Sequence, residues 1–375
     1  MYHKTKIFFG LFLAWIIADL PLHAAQKNVV PPPQRILIKD RKDLRKQNRL
    51  PAAPEKIAVQ KTPVKKAVPA KKPAAQTKST TLKTYTINKH SYVDLNDVAK
   101  YYKAKLTVSG KSLRLSSKSS NIAFEVGKRS GSINGTAVTF SFAPVKSGNR
   151  HYISLIDFTK TLIPALSAKL PQRKLMKIMI DPGHGGTDKG AVRNGICEKD
   201  LNLKMALKLR DRLKKYKFQV VMTRTTDKTV SLEDRAKLCE KEKVDLYISI
   251  HCNAAESAAV RGIETWYLVP KNGVSTTEKK AKKDFDKGNN YDRYSMRLAF
   301  EVQKGMKKQF PATPDRGVKP GRFYVLRHAS APAILMEVGF LSNAAERLVI
   351  TKDANQNKIV DAVIQGLTGY VKAIR

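Results

Sequence analysis

Lys177-Ile178-Met179-Ile180-Asp181-Pro182-Gly183-His184-Gly185-Gly186 sets a short apolar run directly against a turn of aspartate, proline and glycine. The run reads as a buried strand, and the turn residues end it. Two later runs stop in a comparable way. Residues 246–250 (LYISI) lead straight into His251, and residues 333–336 (AILM) lead straight into Glu337. Helical patterns lie between these runs. Leu201, Met205, Leu209 and Leu213 line one face of a helix expected over 198–215. Ser231, ahead of Glu233 and Asp234, is an N-cap signal for another. Further strands are expected at 219–222 and 262–268, and further helices at 295–310 and 358–374. Strands alternating with helices predict an α/β fold over residues 171–375, a mostly parallel sheet with helices on both faces.

Ligands of such sheets bind beyond the carboxyl ends of the strands. His184, His251 and Glu337 all fall there, and two imidazoles with a carboxylate are what a metal-dependent hydrolase requires. Glu198 stands three residues before Leu201, so it points with the apolar face of its helix. An unpaired carboxylate is costly in that position, whereas a metal ligand is satisfied. Taken singly, each group has an ordinary reading: Asp181 as a turn residue, Glu198 as a first-turn acid. The Gly-rich loop lacks the Gly-Lys-Ser/Thr ending of a phosphate cradle and the glycine spacing of a dinucleotide fold.

Working outward, residues 82–170 show short alternating runs with an Asn134-Gly135 hairpin signal. Ser91-Tyr92-Val93-Asp94-Leu95-Asn96-Asp97-Val98 is echoed sixty residues on by His151-Tyr152-Ile153-Ser154-Leu155-Ile156-Asp157-Phe158. This region is expected to be a small strand-rich α+β accessory domain with an internal repeat. Residues 26–81 hold 15 Lys/Arg, 3 acids, 8 prolines and no aromatic side chain. That composition predicts a disordered basic linker, able to cling to anionic cell-wall polymer or lipid. At the start, Lys4 and Lys6 precede the apolar stretch 7–18, with Ala24-Ala25 beyond it. Twelve apolar residues are short for a membrane span and fit a signal peptide over 1–25, with an uncleaved anchor as the rival. Export to the periplasm or cell envelope follows. The chain of 375 residues carries 71 Lys/Arg against 31 Asp/Glu, a net charge of +40. The export signal makes nucleic acid an unlikely partner for that charge. Three cysteines are too few for a disulfide scaffold.

Two resemblances complete the reading. The repeat with its Asn-Gly turn resembles the copper-amine-oxidase-like N-terminal domain of exported bacterial proteins, although no ligand cluster surrounds His90 or His151. Residues 179–186, 198–203, 249–254, 316–327 and 336–343 together resemble the zinc-dependent N-acetylmuramoyl-L-alanine amidases. That resemblance implies one zinc ion on His184, Glu198 and His251, with Glu337 as the catalytic carboxylate. Asn202 and Asn253 are candidates for orienting ligands or substrate. It further implies peptidoglycan as substrate, cell-wall remodelling or cell separation as role, and a protein activator as a candidate partner. Cys197, Cys239 and Cys252 read as free thiols, with a Cys197–Cys252 disulfide as the alternative. The segment 269–294 reads as a charged loop, with a regulatory lid as the alternative. A zinc carboxypeptidase or endopeptidase, and a non-catalytic wall-binding protein, are the competing functions.

Overall fold

The computed structural model describes residues 34–37 and 81–375. The expected signal peptide, and all of the linker but Gln34–Leu37 and Thr81, lie outside the described residues. Strand β1 (Gln34–Leu37) pairs antiparallel with β2 (Thr81–Ile87), which forms a hairpin with β3 (His90–Asp94). Helix α1 (Leu95–Tyr102) follows. Strands β4 (Lys105–Ser109), β5 (Ser112–Ser116), β6 (Asn121–Glu125), β7 (Ser130–Ile133) and β8 (Thr136–Thr139) then form an antiparallel meander. Asn134 and Gly135 make the β7–β8 turn at φ +49° and +79°, the left-handed region that an Asn-Gly pair tolerates. Strands β9 (Val145–Ser147) and β10 (Arg150–Ser154) return beside β3.

The sequence repeat is a pair of strand–helix corners. β3 enters α1 across Asp94, whose carboxylate accepts from Asn96 N at 2.8 Å. β10 enters α2 (Leu155–Asp157) across Ser154, whose hydroxyl accepts from Asp157 N at 2.9 Å. The two strands pair with Val93 opposite Ile153. Helix α2 continues through a π-turn (Phe158–Leu162) into α3 (Ile163–Leu166).

The C-terminal half begins with β11 (Lys177–Pro182), a small hairpin of β12 (Val192–Arg193) and β13 (Ile196–Cys197), and α4 (Glu198–Lys215). It continues through β14 (Gln219–Met222), α5 (Leu232–Lys241), β15 (Leu246–Asn253), β16 (Ile263–Leu268), α6 (Asp292–Gln309) and β17 (Asp315–Gly321). Helix α7 (Tyr324–His328), β18 (Ala333–Phe340), α8 (Ala344–Thr351) and α9 (Asp353–Ile374) end it. Successive side chains of a strand face opposite sides, and the core divides accordingly. Ile178, Ile180, Ile248, Ile250, Ile334 and Met336 join the apolar cluster that includes α4, α6 and α9. Met179, Tyr247 and Leu335 join the smaller cluster under α5 and α7. Helices therefore cover both faces. The sheet is parallel from β14 through β11 and β15 to β18, but β16 runs antiparallel to β18. The β12–β13 hairpin, strand β17 and helices α7 and α8 are additions to the elements expected from the sequence.

The sheet does not end at β17. β8 adds to it in parallel, with Val138 opposite Val318, so eleven strands form one sheet from β14 to β4. The helical turn 155–166 packs beside α6. There Arg297 donates to the carbonyls of Pro164 (3.2 Å) and Ser167 (2.6 Å), and Lys160 pairs with buried Asp292 at 3.2 Å. Phe158 and Leu162 share one buried cluster with Leu298 and Val302.

Candidate metal centre

Parallel pairing brings the carboxyl ends of β11, β15 and β18 side by side, with His251 directly opposite Glu337. The loop after β11 carries His184, and the first residue of α4 is Glu198. One ligand atom each from His184, Glu198 and His251 lies within 4.8 Å of the others. Glu198 Oε1 sits 3.2 Å from His184 Nε2 and 3.0 Å from His251 Nδ1. Burial would push the Glu198 carboxyl up, but the two imidazoles outweigh it and hold it well below the carboxylate range. Burial likewise pulls His184 down, yet Glu198 and Asp188 hold it up at about 9.

Space for these side chains depends on glycines. A Cβ at Gly183 would stand 2.1 Å from His251 Cε1, and one at Gly190 would stand 2.6 Å from Glu198 Oε2. His184 itself adopts φ +61°, which costs a non-glycine residue energy and persists only where its surroundings impose it.

Those surroundings are a buried charge network. Asp181 accepts from Arg235 Nη1, from Thr223 Oγ1 (2.6 Å), Tyr247 OH (2.6 Å) and Ser249 Oγ (2.8 Å). Burial alone would raise its carboxyl, but Arg235 and these donors hold it below the ordinary value. Asp181 is thus fully engaged as a scaffold. Arg235 also donates to His184 O (2.9 Å) and Pro182 O (3.0 Å), while Arg224 donates to Pro182 O (3.1 Å) and Gly183 O (3.0 Å). Two buried guanidiniums therefore fix the backbone that carries His184. Asp188 Oδ2 lies 2.7 Å from His184 Nδ1, leaving Nε2 turned to Glu198.

The two asparagines have different surroundings. Asn202 Nδ2 donates to Glu198 Oε1 (3.2 Å) and Gly183 O (3.3 Å), and its Oδ1 lies 3.5 Å from Cys252 Sγ. Asn253 Nδ2 donates to Glu264 Oε1 at 3.1 Å. Glu264 stands opposite Glu337 on β16, accepts from Trp266 Nε1 (3.1 Å), and binds Arg316 Nε (2.7 Å) and Lys319 Nζ (2.5 Å). Glu337 has no such partners. Its Oε2 is buried without a hydrogen bond among the described residues. Burial, with Glu198 and Glu264 nearby, pushes its carboxyl well above the ordinary range despite Lys319.

Sequence reasoning missed Asp188, Arg224, Arg235, Glu264, Arg316 and Lys319 as parts of this centre. Two signals were readable: Glu264, an acid inside the run Ile263–Leu268, every residue of which is buried, and the stretch 316–327, which holds Arg316 and Lys319. All three cysteines are free, so the alternative of a Cys197–Cys252 disulfide is not adopted.

The family model described as N-acetylmuramoyl-L-alanine amidase matches residues 178–369, just over half of the chain, and spans every group just described. The chain belongs to the N-acetylmuramoyl-L-alanine amidase family. It is therefore a hydrolase of a carbon–nitrogen amide bond, acting on peptidoglycan. The amidase LytC of Bacillus subtilis is 32% identical over 195 residues, which are 52% of this chain and 35% of LytC. The uncharacterized protein YqiI of the same organism is 32% identical over 218 residues, 58% of this chain and 95% of YqiI. Among solved structures, the catalytic domain of the amidase CwlV from Bacillus (Paenibacillus) polymyxa var. colistinus is 33% identical. That likeness has a TM-score of 0.45 and covers 53% of this chain and 99% of CwlV's.

Proposed function

We propose that this amidase holds one zinc ion on His184, Glu198 and His251 and uses Glu337 to move the proton in cleaving the bond between N-acetylmuramic acid and L-alanine. The observation that carries this reading is the pairing of a three-ligand His-Glu-His cluster with an unpartnered buried carboxylate on the adjoining strand. Two imidazoles and a carboxylate are a donor set suited to catalytic zinc, and they leave a fourth position for water or substrate. When bound there, zinc supplies positive charge that acidifies a water molecule and polarises the amide carbonyl.

The protein's own groups do the rest. Asp188 keeps the proton of His184 on Nδ1, and Asn202 holds Glu198 facing the imidazoles. Glu337 accepts the proton of the attacking water at its carboxylate and returns it to the departing amine of L-alanine. With no hydrogen-bond partner on its buried oxygen, that carboxylate is free for both halves of the transfer. We further propose that the enzyme acts outside the cytoplasm, led there by residues 1–25. On that reading residues 26–81 tether it near the wall, clinging to anionic polymer or lipid, and residues 82–170 form an accessory unit. Purified peptidoglycan digested by the full chain with zinc should release intact stem peptides beginning at L-alanine. Chelator or Glu337→Gln should abolish that release. Release of terminal D-alanine alone would make the protein a carboxypeptidase, and activity persisting in Glu337→Gln would remove Glu337 from its role.

A further inference from the structure

Strand β17 is the flank of the catalytic centre, since it carries the two cations that bind Glu264. Its pairing with β16 shifts by one residue: Ile263 faces Asp315, but Glu264 faces Gly317. Arg316 is the extra residue, and such a bulge re-aims a side chain. Here it turns Arg316 onto Glu264 at 2.7 Å. Sequence alone gives β17 little reason to hold this shape, for Asp315-Arg316-Gly317-Val318-Lys319-Pro320-Gly321 contains two glycines and a proline.

What holds the bulge from the other side is the N-terminal module. Ala137 N donates to Asp315 Oδ2 at 2.9 Å, while Asp315 Oδ1 accepts from Gly317 N (3.0 Å) and Gln303 Nε2 (2.7 Å). Gly317 takes φ +82°, and any Cβ there would meet Ala137 O at 2.5 Å. The module also grips the segment between β16 and α6. Arg129 donates to Val274 O (2.6 Å) and Ser275 O (3.2 Å), and through Nε to Phe140 O (2.7 Å) within the module. The far side of that segment is held to the chain beyond β17, where Glu278 binds Arg322 at 3.0 Å and Asp286 binds Arg327 at 3.0 Å. Residues 269–286 contain no helix and are anchored at both sides.

We propose that the module of residues 81–166 is an internal positioning clamp of the amidase. Strand β8 and Arg129 set β17 and the 269–286 segment, and so hold Arg316 and Lys319 on Glu264 beside Glu337. This rests on Glu337 acting as proposed above. A module hung on a flexible tether would make none of these contacts and would leave β17 as the sheet edge.

The test compares the full chain, zinc-loaded, with an Ala137→Pro/Arg129→Ala double variant, which removes the N–H given to Asp315 and the grip on residues 274–275. Amide hydrogen exchange should quicken across β17 and stay unchanged in β15 and β18, with zinc content unaltered. Turnover should fall about tenfold with KM changed less, because a misplaced flank acts on the transition state. Unchanged β17 protection with turnover within about twofold of wild type would overturn the clamp. Should the variant fail to fold, the unaltered interface is tested by cutting an engineered protease site at residues 172–174. The two pieces should co-elute and keep activity, and pieces that separate would overturn the proposal. Glu337→Gln in the uncut chain tests the proton-transfer reading separately, since exchange at β17 reports on the clamp whether or not that variant is active.

Discussion

Asp188 offers a measurement of how much one residue outside the ligand set contributes to metal affinity. Its Oδ2 lies 2.7 Å from His184 Nδ1, and its side chain is 59% exposed. At that distance a full charge pair is worth about 1.5 kcal/mol when screened as in bulk water, roughly tenfold in affinity. With the carboxylate more than half exposed, tenfold is an upper bound on the contribution of charge alone. Carboxylate partners of metal-bound histidines typically contribute about 10–100-fold. Geometry adds to charge, because the carboxylate keeps the proton on Nδ1 and orients the ring on a strained backbone.

Two variants separate these contributions. Asp188→Asn keeps an acceptor for Nδ1–H and loses the charge, so zinc should bind about threefold to tenfold more weakly. Asp188→Ala loses both and should weaken binding by about 10–100-fold. Zinc dissociation constants from chelator competition give the numbers, and melting of the metal-free proteins checks that the fold survives. Affinities within about twofold of wild type for both variants would refute the reasoning, since the contact would then be incidental.

Three further outcomes are expected. Gly183→Ala should drive the His251 ring from its place, because the new Cβ would stand 2.1 Å from it, and should abolish stoichiometric zinc by elemental analysis. Retained zinc would contradict the packing. Metal-free Glu337→Gln should be more stable than metal-free wild type at pH 8 and equal to it near pH 4. A carboxyl raised in the fold stabilises below its unfolded value and loses that contribution as pH rises, by up to about 1.4 kcal/mol per pH unit. A gap that does not change with pH in denaturant titrations would refute this. Asp157, buried and raised from 3.8 to about 6, has the same sign. Its contribution should be full below pH 3.8 and lost as pH rises through about 6, an amount of about 3 kcal/mol. The stability of wild type relative to Asp157→Asn should therefore be larger at pH 4.5 than at pH 7.5, and equal differences would sink the idea.

What could be read from the sequence was whatever interrupts a periodic pattern. His251 and Glu337 end apolar runs, Glu198 sits on an apolar helix face, and the Asn134-Gly135 turn separates two short alternating stretches. Asp188, Arg224 and Arg235 interrupt nothing. Arg224 lies among threonines and Asp227 and looks like surface, yet it is among the most buried large side chains because its donors meet loop carbonyls brought there by β11. β17 was illegible for the opposite reason. Its glycines and proline argue against a strand, and only two neighbours, β16 from its own half and β8 from the other, hold it extended. Local propensity cannot report a strand whose stability is supplied from elsewhere.

The distribution of charge around the centre sets the proposed working acid, Glu337, apart from the other two. The pairing of β16 with β18 sets Glu264 opposite Glu337, Glu198 reaches the same centre from the start of α4, and three buried carboxylates at close quarters would repel one another. Two are compensated: Glu198 faces two imidazoles, and Glu264 faces Arg316 and Lys319 while accepting from Asn253 and Trp266. Glu337 alone of the three keeps a buried oxygen with no donor, at a cost to the fold that an apolar side chain would avoid. Compensating it would have required only another donor on a neighbouring strand, as Glu264 has. Stability does not account for leaving it free, whereas the proposed proton transfer does: an oxygen already committed to a neighbour cannot both take a proton from water and surrender it to an amine.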